Sequence, residues 1–188
     1  DTSISPLAGG TSHPATDTSD AVIAGGTWLF SEPQPGIRRL FDITGLGWEP
    51  VTVETSGLEL AATCTIERVS ALSRELPTDW AAAPLLHQCC TALLASYKIW
   101  GSATVGGNLC LSLPAGAMIS LATALDATVT IWRADGSDRS IAITEFLSIL
   151  ADRAKLYGVM QDELVAVREA FATPRLSEIT AAWDGLED

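Results

Sequence analysis

Two glycine-rich turns, far apart in the chain, constrain this protein more than any other feature. The first lies in Val22–Phe30 (VIAGGTWLF) and the second in Ala103–Cys110 (ATVGGNLC). Each follows small or β-branched residues, sets two glycines at a turn and continues into a side chain able to hydrogen-bond. With no Cβ in the way, the N–H groups of such a turn can converge on an anion at short range. A fold that joins the two could grip a diphosphate from both sides, so the chain reads first as a binder of a dinucleotide or a flavin. A third AGGT, Ala8–Thr11, is followed by Ser12–His13–Pro14 with no apolar continuation. The tetrapeptide therefore means little by itself, and its flanks carry the argument.

In the first turn the candidate residues are Ala24, Gly25, Gly26, Thr27, Trp28 and Leu29, with amides toward phosphate oxygens and the Thr27 hydroxyl as a further donor. In the second they are Thr104, Val105, Gly106, Gly107 and Asn108. Asn108 tolerates a left-handed backbone and can brace the turn with its own side chain. The bland alternative for either turn is ordinary Gly–Gly turn chemistry with no ligand. Arg38–Arg39 could clamp a phosphate, or could be a solvated loop.

The net charge of −12 decides how an anion could be held. It argues against a nucleic-acid binder, whose affinity rests on Lys and Arg against phosphates, and equally against an anionic membrane surface. Backbone dipoles must then do most of the work. Hydrogen bonds to a charged acceptor contribute roughly 1.5–3 kcal/mol each, so four to six such donors could suffice without a cationic clamp.

No Ser/His/Asp, Cys/His or paired-carboxylate arrangement is visible, so any chemistry would belong to a cofactor. Cys64, Cys89, Cys90 and Cys110 have neither CxxC nor iron–sulfur spacing and read as reduced structural thiols. His13 and His87 are too isolated for a metal centre, and His87 reads as a helix residue with a satisfied ring. No segment has the length of a membrane span, and the start lacks a signal-peptide pattern, so the default location is cytoplasmic.

With 188 residues, 47% of them hydrophobic and 18% charged, the chain can bury a core. Residues 1–20 read as an irregular lead-in, rich in Ser, Thr, Pro, Gly and Asp. Strands are expected at Ala21–Ile23, Leu40–Ile43, Val51–Glu54 and Leu58–Thr63, with Thr55–Ser56–Gly57 as a hairpin turn. Thr65 can cap a helix over 66–74. Pro84 opens a helix from Leu85 to about Lys98, with Leu86, Cys89, Cys90, Leu93, Leu94 and Tyr97 at core spacing. A further apolar helix runs from Pro114 to Leu125. Thr128–Trp132 and Ser140–Ile143 form a hairpin around Asp135–Gly136. Thr144 caps a helix carrying Phe146, Leu147, Ile149 and Leu150, and Gln161–Ala172 suggests an amphipathic helix stopped by Pro174.

These segments, in this order, resemble the FAD-binding domain of the xanthine dehydrogenase and carbon monoxide dehydrogenase family of molybdenum hydroxylases. The matching elements are VIAGGTWL, RRLFDITGL, LELAATCTIERV, YKIWGSATVGGNLCLSLPAG and LDATVTIW with the hairpin ending at Glu145–Phe146. The resemblance covers about Ala21 to Leu147. It implies an α+β, two-lobed FAD-binding domain: a small lobe with parallel strands, then, beyond a boundary near residues 45–50, a larger lobe with an antiparallel sheet and helices. It implies that the two glycine turns hold the FAD pyrophosphate and that Ala62, Thr63 and Thr65 pass near the flavin. It also implies a flavin subunit of a hetero-oligomeric complex, relaying electrons from iron–sulfur clusters on a small subunit, ultimately from a molybdopterin large subunit, to NAD or oxygen.

The sequence departs from the family pattern in three places. Residues 1–20 do not look like the strand and helix expected ahead of the first turn. Ala117 replaces an aspartate, and Leu113 interrupts a Ser-Pro pair. Residues after about Ser148 read as a helical tail and do not match the family's further domain. These departures motivate an alternative, a structural or interaction subunit that kept the fold and lost FAD. A free-standing flavin oxidoreductase is a third reading.

Overall fold

The computed structural model describes residues 3–6, 19–31, 33–55, 57–113, 116–133 and 137–157, with the backbone alone at 3–6 and 153–157. The chain divides into two compact units, Asp1–Leu147 and Ser148–Asp188. The Asp135–Gly136 turn, Pro114 and the expected helix over 161–172 lie outside the described residues.

A three-stranded parallel sheet comes first. Strands β1 (Ser3–Pro6) and β2 (Asp20–Ile23) flank β3 (Arg39–Asp42), in the order β1-β3-β2. Leu40 and Phe41 of β3 are buried, as a central strand requires. Strand β1 corrects the irregular reading of the lead-in. Residues Ser3–Pro6 pair with residues 39–42 along the whole strand. That pairing is set by a partner more than thirty residues away, and the polar local composition gives no sign of it. Asp20 likewise belongs to β2, one residue before the expected start. Its side chain is 2% exposed and accepts two hydrogen bonds from Arg39, at 3.0 and 2.7 Å. Arg39 also lies over the Phe41 ring, 4.8 Å from its centroid. It thus stands in a strand rather than a loop and is engaged by Asp20, whereas the neighbouring Arg38 is exposed.

After a short 3-10 turn at Thr44–Leu46, β4 (Val51–Glu54) and β5 (Gly57–Leu60) form an antiparallel hairpin. A second hairpin joins β6 (Thr128–Trp132) to β7 (Asp138–Ala142). Among the described residues the antiparallel part is therefore two separate two-stranded ladders rather than one larger sheet.

The main core is helical. Helices α1 (Ile66–Leu72), α2 (Ala83–Ala92), α4 (Val105–Leu111) and α5 (Ala117–Ala124) contribute to it, with α3 (Tyr97–Trp100) between α2 and α4. Ile66, Val69, Leu72, Leu86, Cys90 and Met118 are its buried centre. Each buried Leu, Ile, Val or Met there stabilises the fold by roughly 1.5–3 kcal/mol relative to exposure. His87 has its ring satisfied as expected, with Nδ1 2.8 Å from Ser70 Oγ across the α1–α2 contact.

The single helix expected over 85–98 is broken. Residue Leu93 is extended (φ −74°, ψ 103°), and Trp100 donates its indole N–H to the Leu93 carbonyl that the break releases (3.4 Å). In consequence Leu94 is 99% and Tyr97 77% exposed, not in the core. The last described helix, α6, spans Ile143–Tyr157.

Candidate functional site

The residues Ala61–Thr65 lead out of β5 into α1, and Ser102–Thr104 lead out of α3 into α4. Thr65 and Thr104 meet in an isolated antiparallel bridge. Each is extended and each caps the helix it precedes: Thr65 Oγ1 accepts from Arg68 N, and Thr104 Oγ1 from Gly107 N, both at 3.2 Å. A helix leaves its first amides without intrahelical partners. Here the first amide of each helix is satisfied by the other connection. Ile66 N donates to Ala103 O (2.9 Å) and Val105 N to Cys64 O (2.8 Å), and Gly106 N adds a bond to Ala62 O (2.9 Å).

This arrangement explains Gly106. A Cβ built there would lie 2.6 Å from Ala62 Cβ and 3.0 Å from the Ala62 carbonyl oxygen. The second glycine pair thus opens a helix, Gly106 presses on Ala62, and the amides of both glycines are bonded inside the protein. Thr104 is buried, Gly107 is exposed, and Val105 is a core residue. Asn108 is helical rather than left-handed. Its backbone N donates to Thr104 O, and its side chain reaches Met118 N at the start of α5 (2.9 Å). Thr63 lies half-buried in the turn after β5, not in a strand.

The first pair behaves differently. Gly25 packs on the backbone just before Thr104, where a Cβ would sit 1.7 Å from the Ser102 carbonyl oxygen. Gly26 has φ +67° and lies under the Phe30 ring, so only glycine suits this conformation. From Gly26 the chain makes one helical turn, Phe30 N donating to Gly26 O and Ser31 N to Trp28 O, both at 3.0 Å. The amides of Gly25, Gly26, Thr27, Trp28 and Leu29 donate to no acceptor among the described residues, and neither does the Thr27 hydroxyl. Ala24 and Thr27 are half-buried, and Trp28 is exposed.

The fold therefore joins the two glycine turns, through Gly25 against Ser102–Ala103, but gives them different tasks. The amides of the first find no acceptor among the described residues, while those of Gly106 and Gly107 in the second are bonded within the protein. A groove of about 390 Å³ adjoins the first turn at Leu29 and Phe30 and continues along Pro33, Ile37 and Leu40, without reaching the second turn. Cys64, next to the bridge, is pushed up to about 11 by burial, with Arg68 offsetting part of the effect. Cys90 is pushed up to about 12, by burial first and then by Cys89 and Cys64. None of the four cysteines forms a disulfide. Among the described residues no cluster of metal ligands occurs, and no helix is long and apolar enough to cross a membrane.

Sequence reasoning missed two features here. One is the mutual satisfaction of the helix starts, whose trace is the repeated Thr-aliphatic pair at Thr65–Ile66 and Thr104–Val105. The other is the Asn108–Met118 bond, which has no local signal.

Comparison with known proteins gives the class. Residues 3–166 match the family described as the FAD binding domain in molybdopterin dehydrogenase. The chain belongs to that family, the FAD-binding domains of the xanthine dehydrogenase and carbon monoxide dehydrogenase group of oxidoreductase flavoproteins. The match is wider than the resemblance read from sequence, taking in β1 and extending beyond Leu147. Similar solved structures include carbon monoxide dehydrogenase from Hydrogenophaga pseudoflava (21% identity, TM-score 0.57), covering 68% of this chain and 44% of that one. Reconstituted CO dehydrogenase from Oligotropha carboxidovorans (22%, 0.55) covers 66% and 43%. Quinoline 2-oxidoreductase from Pseudomonas putida 86 (24%, 0.54) covers 68% and 44%. These likenesses agree with the α+β fold. A 37-residue stretch is also 51% identical to a DNA gyrase polypeptide of Rickettsia conorii, over 20% of this chain and 4% of that protein. The chain thus spans under half of the structures it matches and a small fraction of the gyrase polypeptides.

Proposed function

We propose that this domain holds FAD with the diphosphate on the amides of Gly25, Gly26, Thr27, Trp28 and Leu29 and on the Thr27 hydroxyl. The observation that carries the reading is the run of five consecutive amides without a described acceptor, in a domain of an FAD-binding family. Buried and half-buried amides are normally paired, so a run left open is suited to an external anion. At roughly 1.5–3 kcal/mol per charged hydrogen bond, less the ordering costs, this set can hold a diphosphate on a protein of net charge −12. The second segment, Thr104 to Asn108, supports the first through Ser102–Ala103, and exposed Gly107 leaves space beside it. Thr63 and Thr65 belong to the same cluster and are assigned to the wall of the site.

Bound FAD would supply the redox chemistry that no side chain of this site offers. The residues' own tasks are to bind the anion, fix its position and shield one side of it. In a complex, the domain would receive electrons from an iron–sulfur small subunit served by a molybdopterin large subunit. It would pass them to NAD or oxygen, in the cytoplasm.

The test is FAD titration of the purified chain, followed by flavin absorbance and release on denaturation. A saturable yellow complex is expected, weakened at least tenfold by Gly107→Val with the helical signal retained. A colourless protein that takes up no flavin would defeat the reading. Co-purification with iron–sulfur and molybdenum-containing subunits tests the complex separately.

A further inference from the structure

Asn108 stands in the glycine-rich segment, and its side-chain oxygen is engaged by another helix. The Oδ1 atom accepts the amide of Met118 at 2.9 Å. Met118 is 2% exposed and is the second residue of α5, so its amide is one of the orphan donors of a helix start. The residue in the capping position is Gly116, which has no side chain to offer. The cap of α5 therefore comes from another helix. It leaves little room: a Cβ at Gly116 would lie 3.5 Å from Asn108 Oδ1 and 3.1 Å from the Leu113 carbonyl oxygen. The backbone of Asn108 is tied as well, its N donating to Thr104 O. Gly106 and Gly107 are thus held between two anchors, Thr104 at the bridge to Thr65 and Met118 in the core.

We infer that Asn108 is a positioning residue for the cofactor: its side chain fastens α4 to α5 and touches no phosphate. This rests on the FAD reading above. It reassigns one residue that sequence alone counts among the direct binders. Without the Asn108–Met118 bond, α4 keeps its first turn, its core residue Val105 and the bridge to Thr65, but loses its hydrogen-bonded tie to α5. The Ser102–Ala103 backbone that supports Gly25 then rests on the bridge alone, without bracing from α5.

The charge of the diphosphate makes the two roles separable. Asn108→Asp keeps the acceptor and brings a carboxylate that suits a helix start. Asn108→Leu removes the acceptor at similar size, and Asn108→Ala serves if the leucine variant does not fold. On the full chain, FAD affinity is read by flavin fluorescence, and the Met118 amide by hydrogen exchange. The aspartate variant is expected to keep both within about threefold, while leucine exposes the Met118 amide and weakens FAD by about five- to tenfold. An aspartate variant that protects Met118 but loses FAD affinity by about a hundredfold would put the side chain on the anion and overturn the inference. So would a leucine variant that binds FAD like the parent. If the parent takes up no FAD, the flavin reading fails, and the cofactor role of Asn108 with it. The exchange data would then still report the cap.

Discussion

Thr65 and Thr104 face each other across a main-chain bridge, and each caps the helix that follows it. The two helix starts share their donors and acceptors, so their connections form one rigid unit beneath the first glycine turn. The bridge is made by backbone, which valine at either position would preserve, while the hydroxyl caps would be lost. Thr65→Val and Thr104→Val are each expected to lower stability by about 0.5–2 kcal/mol. Their effects should add within about 0.5 kcal/mol in urea denaturation, since the side chains serve different helices. A strong coupling between them would show that the bridge itself depends on the hydroxyls.

Gly25 tests whether the two turns must touch. Gly25→Ala puts a Cβ 1.7 Å from the Ser102 carbonyl oxygen, a backbone atom that cannot step aside cheaply. The expected outcome is loss of FAD uptake with a lower melting temperature. Gly36→Ala is the control, because nothing lies within 4 Å of a Cβ there. It should behave like the parent in both assays.

The Asp20–Arg39 pair predicts a different pattern. Asp20 is 2% exposed at its side chain and Arg39 45%. Removing Arg39 takes two charged hydrogen bonds from a buried carboxylate, so Arg39→Met should cost up to about 3 kcal/mol, and less for a half-exposed arginine. Asp20→Asn in the same chain should restore part of the loss. A double-mutant cycle by chemical denaturation reads the coupling, and none would mean that the pair is replaceable by solvent.

Cys64 and Cys90 give a pH dependence with a definite sign. Burial raises both from the ordinary 9.0, to about 11 and about 12. Between pH 9 and 12 the native state holds protons that the unfolded state has released. Stability from these thiols is complete below about pH 9 and is lost as pH rises through the folded values. Denaturant midpoints should therefore fall above pH 9, and less so in Cys64→Ala or Cys90→Ala. At pH 8 an alkylating reagent should modify exposed Cys110 well before either.

Much of the fold was legible because its signals are local. Val51–Glu54 alternates β-branched and polar residues, Thr65 stands one residue before an apolar period, and Pro84 sits in the first turn of α2. What escaped depends on distant partners. Strand β1 is a strand because β3 lies beside it, and α2 ends at Ala92 although the apolar pattern runs on to Tyr97. The site shows the same division. The glycine pairs announce close approach, and both do meet backbone or Cβ at short range. Which pair keeps its amides open is decided largely by Ala62, whose carbonyl reaches Gly106 from another part of the chain, and by Cys64, whose carbonyl takes the amide of Val105 beside it. No local pattern encodes that choice.

The order β1-β3-β2 has a practical corollary for anyone producing this domain. A version trimmed of its first six residues would turn the middle strand into a border, with a bare row of donors and acceptors along Arg39–Asp42. Such material would be prone to stick to itself.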